Sequence, residues 1–513
     1  MKKILINSFI SYLNIVLLIL PETVLAAKQN TGQFISSAPV ISPDYTDLII
    51  PSNIAPLNFK IQTKALKYQV KVHSKNGPPI NITSRSGDIC FSLSKWQTLI
   101  HANKGQEIIY EISILNDQHK WQHYKPVKNT VSTDTIDNTL VYRFMRPIYN
   151  WWKDIRIFQR NLSTYKTSLV LSGQSFRHGC LNCHSFVNNK PDQFSIGLRS
   201  AKYGSHTLLA NQSNITKIGT KWGYTAWHPS GKLAVYSLNK VRQFFHLGSL
   251  EVRDVVDLDS ALACYYVDQK KIICPAALAD KQKVETYPTW SPDGKYLYYC
   301  SAAILWKDRD TVPPKNYQSL KYDLCRVQYD INTNQWGKSE LVLSAKETKL
   351  SILLPRISPD GRFLLFCMCK YGCFPIYQPS SDLYLMDLGS GKYHKLNINS
   401  KYSESWHSFS SNSRWIAFSS KRQGGTLTRT YLSYIDNNGI AHKAFVVPQQ
   451  DPEFYSSVLE TYSVPELVTG PLKISPAKLA RSARKKPDIN LDIPITGATP
   501  KKPASTTLWQ ERE

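Results

Sequence analysis

The sequence predicts an all-β protein, an N-terminal β-sandwich followed by a five- or six-bladed β-propeller. Three observations carry this. A strand–turn–strand unit with Asp-Gly or a substitute at its turn recurs through the second half of the chain. Period-2 alternation of apolar and polar residues marks short strands in the first third. Gly, Pro, Tyr and Trp are plentiful (23, 29, 29 and 12) while Met is scarce at 4, which suits short strands and tight turns. With 513 residues and 42% hydrophobic content, the chain can bury large cores and is expected to hold two or more domains.

Residues 1–26 read as a signal peptide. Lys2 and Lys3 precede an apolar run from Ile4 to Leu20, and Val24-Leu25-Ala26 places small residues at a cleavage site. No cysteine follows the run, so a lipid anchor is not expected, and nothing after residue 27 has the apolar length to span a bilayer. The mature chain is therefore expected to be periplasmic or otherwise exported, and not an integral membrane protein. Residues 27–53 are polar with scattered prolines and read as a leader.

Residues 54–146 carry alternating segments such as Lys67-Tyr68-Gln69-Val70-Lys71-Val72 and Glu107-Ile108-Ile109-Tyr110-Glu111-Ile112. Their length suits an immunoglobulin- or fibronectin-like sandwich, without the Cys–Trp–Cys signature of a true immunoglobulin domain. His119 and His123 fall in a polar stretch here and read as solvated. Residues 147–176, with Tyr149-Asn150-Trp151-Trp152, read as an aromatic connection. The tail from 471 to 513 is rich in Lys, Arg, Pro and Thr and reads as disordered, with Ala480-Arg481-Ser482-Ala483-Arg484-Lys485-Lys486 as its charge run.

Residues 177–470 hold the repeats. Tyr287-Pro288-Thr289-Trp290-Ser291-Pro292-Asp293-Gly294-Lys295 and Leu354-Pro355-Arg356-Ile357-Ser358-Pro359-Asp360-Gly361-Arg362 are the clearest copies. Tyr224 to Lys232 and Trp406 to Arg414 are degenerate ones. The Asp-Gly pair supplies the positive φ of a tight hairpin turn. Anchors at 227, 290, 357 and 409 stand about 50–70 residues apart, as four-stranded blades with variable loops require. These units resemble the TolB-like propeller family, whose blades carry a W-S-P-D-G-K type motif. The resemblance covers about 225 to 440; it implies the fold and says little of function. Cys183-His184-Ser185-Phe186 fits the same template less closely and would open a first blade. Residues 445–470 or the strand near Ser168-Leu169-Val170 would close another.

Cys180-Leu181-Asn182-Cys183-His184 is the attachment pattern of c-type haem. Two thiols at this spacing can each bond one vinyl group of one porphyrin, and the adjacent imidazole can ligate iron. A zinc half-site would need a second ligand pair, and no second CxxC occurs. A redox disulfide would need a βαβ context that the flanks do not provide. The expected cofactor is thus one covalent haem c, bound through Cys180 and Cys183 with His184 as axial iron ligand. For the sixth iron position, topology puts His206, His246, Met368 and His407 at the same end of the ring as the motif and His228 at the other. His246, beside Arg242, Phe244 and Phe245, is the preferred candidate.

Eight further cysteines allow 105 pairings; Cys264 and Cys274, flanking a hairpin, are the first expected pair. The formal charge of +25 in an exported protein points to an acidic redox partner or an anionic envelope component rather than to nucleic acid. Three functions stay open: one-electron transfer on a propeller scaffold, a cell-envelope binding propeller for protein or glycan with structural or sensory haem, and a haem-dependent oxidoreductase with a further centre in the funnel. The last lacks support in the sequence. No nucleophile–base set stands out by spacing, and 12 histidines, several outside the propeller, are few for a copper cluster.

Overall fold

A computed structural model describes residues 32–146, 154–246, 251, 253–306 and 314–490, and excludes the side chains of residues 182 and 183. The expected signal peptide, Tyr149 to Trp152 and residues 491–513 lie outside the described residues. Among the described residues no helix is long and apolar enough to cross a membrane.

The chain is mostly β. Six four-stranded antiparallel sheets form a ring, and each innermost strand packs against the next until the last meets the first. Blade I takes its innermost strand, Thr461–Val468, from the end of the chain. Its outer strands, Thr139–Met145, Arg156–Asn161 and Thr167–Ser172, come from far upstream. Thr139 stands opposite Val468 and Met145 opposite Thr461, so main-chain hydrogen bonds between distant segments latch the ring. The innermost strands of blades II to VI are Cys180–Phe186, Thr225–Trp227, Lys283–Trp290, Ser351–Ile357 and Glu404–Phe409.

Two expected boundaries move. Thr139–Met145 belongs to the propeller rather than the sandwich, and the expected connection at 147–176 holds two strands of blade I. Both segments proposed for closing a blade are used, in the same blade. The propeller therefore has six blades.

The repeated motif has a mechanical reason. In blade IV the Ser291 hydroxyl donates to Asp293 (2.6 Å) and accepts from the Tyr296 N–H (3.0 Å), while Asp293 accepts from the Lys295 N–H (3.1 Å). Ser358, Asp360, Arg362 and Phe363 repeat the network in blade V. Ser410, Asn412, Arg414 and Trp415 repeat it in blade VI. Gly231, Gly294 and Gly361 supply φ of 72°, 72° and 75° at the turn, where an L side chain is strained. At Gly294 a Cβ would also stand 2.3 Å from His228 Nε2.

The N-terminal domain centres on Glu107–Leu115. It pairs with Lys67–His73 on one side and with Trp121–Tyr124 and Val127–Val131 on the other, within a seven-stranded sheet. A three-stranded sheet and the helix Leu93–Ala102 complete it, with Trp96, Leu99 and Ile100 buried. The expected leader is part of this domain. Gln33–Ile35 and Ile49–Ile50 add parallel strands, and Tyr45, Leu48 and Ile50 are buried.

The expected disordered tail also differs. Pro476–Arg484 is a helix capped by Ser475, with Leu479, Ala480 and Ala483 buried against blades I and II. Lys217 of blade II donates to the carbonyls of Ala483 (2.8 Å) and Lys485 (2.7 Å) at its C-terminal end, where a cation complements the helix dipole.

Candidate functional site at the propeller channel

The Cys-x-x-Cys-His segment forms the innermost strand of blade II, not a loop entering it. Its pairing with Gln193–Ser200 slips between Leu181 and His184. The same slip interrupts the innermost strands of blades IV, V and VI, between Thr286 and Thr289, Leu353 and Arg356, and Ser405 and Ser408. There Tyr287, Leu354 and Trp406 take positive φ, as Val464 does in blade I. Each is followed by Pro288, Pro355, His407 or Pro465. Asn182-Cys183 therefore occupies a bulge that the ring repeats, Cys183 stands where three blades carry proline, and His184 is the first residue to pair again after it. A bulge in an inner strand re-aims the next side chain, and these side chains line the central channel.

The channel cavity of about 40 Å³ is lined by His184, Tyr224, Tyr287, Arg356, Trp406, His407 and Glu466, among others. His184 is 2% exposed, and neither ring nitrogen has a hydrogen-bond partner among the described residues. The backbones of Val141 and Val464 lie close to the ring and favour its protonated form. Burial first, then the nearby Arg143 guanidinium, pushes His184 down to about 3. It is a neutral imidazole at physiological pH, the form that ligates metals. His407 is likewise pushed to about 3, by burial and then Arg356. Its Nε2 is 3.0 Å from the Leu365 carbonyl and its Nδ1 3.8 Å from Cys367 Sγ, so its two nitrogens already have neighbours. Arg356 pairs with the buried Glu466 of the latching strand, and burial raises that carboxyl.

Cys180 is half-buried at the start of the strand, packed against the core of blades I and II. The Cys183 side chain lies outside the described residues. His246 sits elsewhere. Blade III extends two long strands, Leu233–Phe245 and Arg253–Tyr266, as an arch. Tyr371 and Gln378 of blade V donate to Asp254 at 2.8 and 3.4 Å, Arg253 lies 4.4 Å over Tyr377, and Glu251 pairs with Lys421 of blade VI. His246 Nε2 is 3.2 Å from the same Asp254. The structure thus ties His246 into the contact with blade V and brings His407, not His246, into the cavity with His184. Met368 is buried between strands of blades IV and V, and His228 packs on Trp290 at 4.8 Å.

The expected Cys264–Cys274 pair is not formed, and both are free thiols. Ile273 stands opposite Cys264 in the sheet, so Cys274 is one residue out of register, and a one-residue offset puts the two side chains on opposite faces. Among the described residues no group of three or more His, Cys, Asp or Glu side chains could hold a metal ion.

The donor set fits haem c: two thiols three residues apart, followed by a buried imidazole with both nitrogens unpartnered. The closed volume does not fit it, since about 40 Å³ admits a few water molecules and no macrocycle.

No family model and no curated protein matches the chain. Among solved structures it is similar to Kuenenia stuttgartiensis hydrazine synthase, at 15% identity and TM-score 0.30, over 50% of this chain and 64% of that one. The chain thus spans just under two thirds of that protein's length. An auxiliary nutrient binding protein from Bacteroides thetaiotaomicron matches at 11% identity and TM-score 0.31, over 79% and 100% of the two chains. Oligogalacturonate lyase from Vibrio parahaemolyticus matches at 11% and 0.30, over 58% and 92%.

Proposed function

We propose that this chain is an exported monohaem c-type cytochrome on a six-bladed propeller, serving one-electron transfer or redox docking in the cell envelope. Cys180 and Cys183 hold the haem and His184 ligates iron. The observation that carries this is the buried His184 imidazole, neutral and without a hydrogen-bond partner, directly following the second thiol of an attachment motif. An unpartnered buried polar group costs about 1–3 kcal/mol, and a metal bond removes that cost. Bound there, haem supplies a reversible one-electron couple.

The residues around the motif set the conditions for that role. Burial, helped by the nearby Arg143 and Arg356, keeps a proton off His184, so its lone pair is available across the physiological range. Because the closed cavity has no room for a macrocycle, the inner strand of blade II has to open for the haem to be attached and held. The folded apoprotein is then expected to refuse haem. The +25 charge favours an acidic redox partner.

The test is the visible spectrum of exported full-length protein. Reduction is expected to sharpen a c-type α band, His184→Ala to shift it, and Cys180→Ala to leave a single thioether with a red-shifted band. An exported protein with no haem absorption would falsify the proposal. The rival reading, an envelope-binding propeller with structural or sensory haem, is favoured by one observation, a cleft between the N-terminal domain and blades V and VI.

A further inference from the structure

Beyond the latching strand, residues 475–490 run back across the outer edges of blades I and II as a strap. Its helix, Pro476–Arg484, turns Leu479, Ala480 and Ala483 into the same buried cluster that holds Leu181 of the haem motif and Phe176 just before it, with Cys180 packed against that cluster. Polar contacts fasten the strap along its length. Lys478 donates to the Ser213 carbonyl at 2.5 Å, and Arg484 Nη1 donates to the Ser175 carbonyl at 2.7 Å. Past the helix the chain joins the outer strand of blade II. The Lys217 N–H donates to Asp488 at 2.7 Å, the Asp488 N–H to the Lys217 carbonyl at 2.8 Å, and the Gly219 N–H to the Ile489 carbonyl at 2.8 Å.

The loop that the strap grips is wound tight. Residues 173–179 lead from the outer strand of blade I into the innermost strand of blade II, and they curl until the Gly179 N–H donates to the Gly173 carbonyl at 3.1 Å. A Cβ at Gly179 would stand 2.0 Å from the Phe176 ring. Arg177 and His178 both hold left-handed φ, 63° and 52°. Residues with side chains keep that conformation only where their surroundings impose it. Among the contacts that do so are the Ser200 hydroxyl, donating to the Phe176 carbonyl at 3.2 Å, and the strap's Arg484 on Ser175. The helix itself is secured by one leucine and two alanines, and an element with so small a buried apolar face opens far more often than the whole fold unfolds. Water replaces the carbonyl partners of Lys217 when it lifts.

We infer that this strap is a clasp on the haem-attachment segment. Lifting it lets the loop at 173–179 unwind and the innermost strand of blade II swing out, which brings Cys180 and Cys183 within reach of a porphyrin; reseating it closes the blade. Its purpose rests on the haem reading of the motif, because a closed cavity of about 40 Å³ requires that strand to open. The motion itself needs no haem.

The experiment is pulse alkylation with iodoacetamide of the folded full-length chain made without haem, read cysteine by cysteine by peptide mass spectrometry. Exposed Cys90 sets the fast rate, and buried Cys264, Cys300 and Cys367 report global unfolding. Cys180 and Cys183 are expected to label slowly in the wild type. Leu479→Asp puts a charge into the apolar face and is expected to speed both at least about 10-fold. Should it also expose the three buried thiols, Arg484→Ala decides the matter. That variant changes an exposed side chain and removes its bond to Ser175, so Cys180 and Cys183 are expected to label about 3-fold faster with the buried thiols unchanged. Wild-type rates at Cys180 and Cys183 in Arg484→Ala, or labelling of the wild type as fast as Cys90, would overturn the inference. A mature exported chain without haem would overturn the haem reading and leave these rates as they are.

Discussion

Replacing His407 by Gln should flatten the acid side of the stability profile. His407 is wholly buried in the channel wall and its proton affinity is lowered to about 3 from 6.5. In the unfolded chain the imidazole takes a proton below pH 6.5, whereas the folded protein refuses it down to about 3. The unfolded state therefore binds more protons throughout that window, and stability falls as pH falls. Each unit corresponds to about 1.4 kcal/mol, so lowering pH from 7.5 to 5.0 costs about 2 kcal/mol through this residue alone. Buried carboxyls act in the opposite sense, Glu285 at about 7 and Asp257 at about 8, so the wild-type profile is a sum. The difference between variant and wild type isolates His407. Glutamine keeps an N–H donor for the Leu365 carbonyl, which limits the cost at neutral pH to about 1 kcal/mol. Urea unfolding followed by tryptophan fluorescence at pH 7.5 and 5.0 measures both. A variant that loses as much stability on acidification as the wild type would refute the reasoning.

Other outcomes follow from the same structure. Leu467 is 1% exposed on the latching strand, and Leu467→Ala should cost about 2–5 kcal/mol, read as a lower urea midpoint. Gly294→Ala combines a φ of 72° with a contact at 2.3 Å on His228; it should lose at least about 1–2 kcal/mol, and a neutral result would contradict the turn's description. Asp257 carries a raised carboxyl because it is buried. Its stabilising contribution is present below pH 4 and lost as pH rises towards 8, so Asp257→Asn should remove that decline in unfolding measured between pH 5 and 8. Folded apoprotein incubated with reduced haem should gain no covalent adduct, whereas haem supplied during export should be attached; adduct formation on the folded chain would show the cavity to be more open than about 40 Å³.

Much of the ring was legible because its hairpins are local. Ser291, Asp293 and Gly294 close a turn within six residues, and the same chemistry marks blades III, V and VI. Blade I was not legible as a unit, since Thr461–Val468 pairs with Thr139–Met145 across more than three hundred residues and carries no turn motif. The helix Leu93–Ala102 was hidden among strands, although its buried Trp96, Leu99 and Ile100 repeat at helical spacing. The basic tail concealed Leu479 and Ala483 behind its charge. Cys180, Cys183 and His184 were readable as a motif, but their place in a repeated inner-strand bulge was not. That place follows from aligning Asn182-Cys183 with Tyr287-Pro288 and Trp406-His407. The approach of Arg356 and Glu466 to His184 is tertiary and leaves no local trace.

The central claim rests on two thioether bonds. Intact mass spectrometry of the exported full-length chain, alongside Cys180→Ser with Cys183→Ser, tests it most directly. One haem mass on the wild type, with none on the double variant, is the expected result. A wild-type chain at its bare polypeptide mass, with both thiols open to alkylation after unfolding, would contradict it.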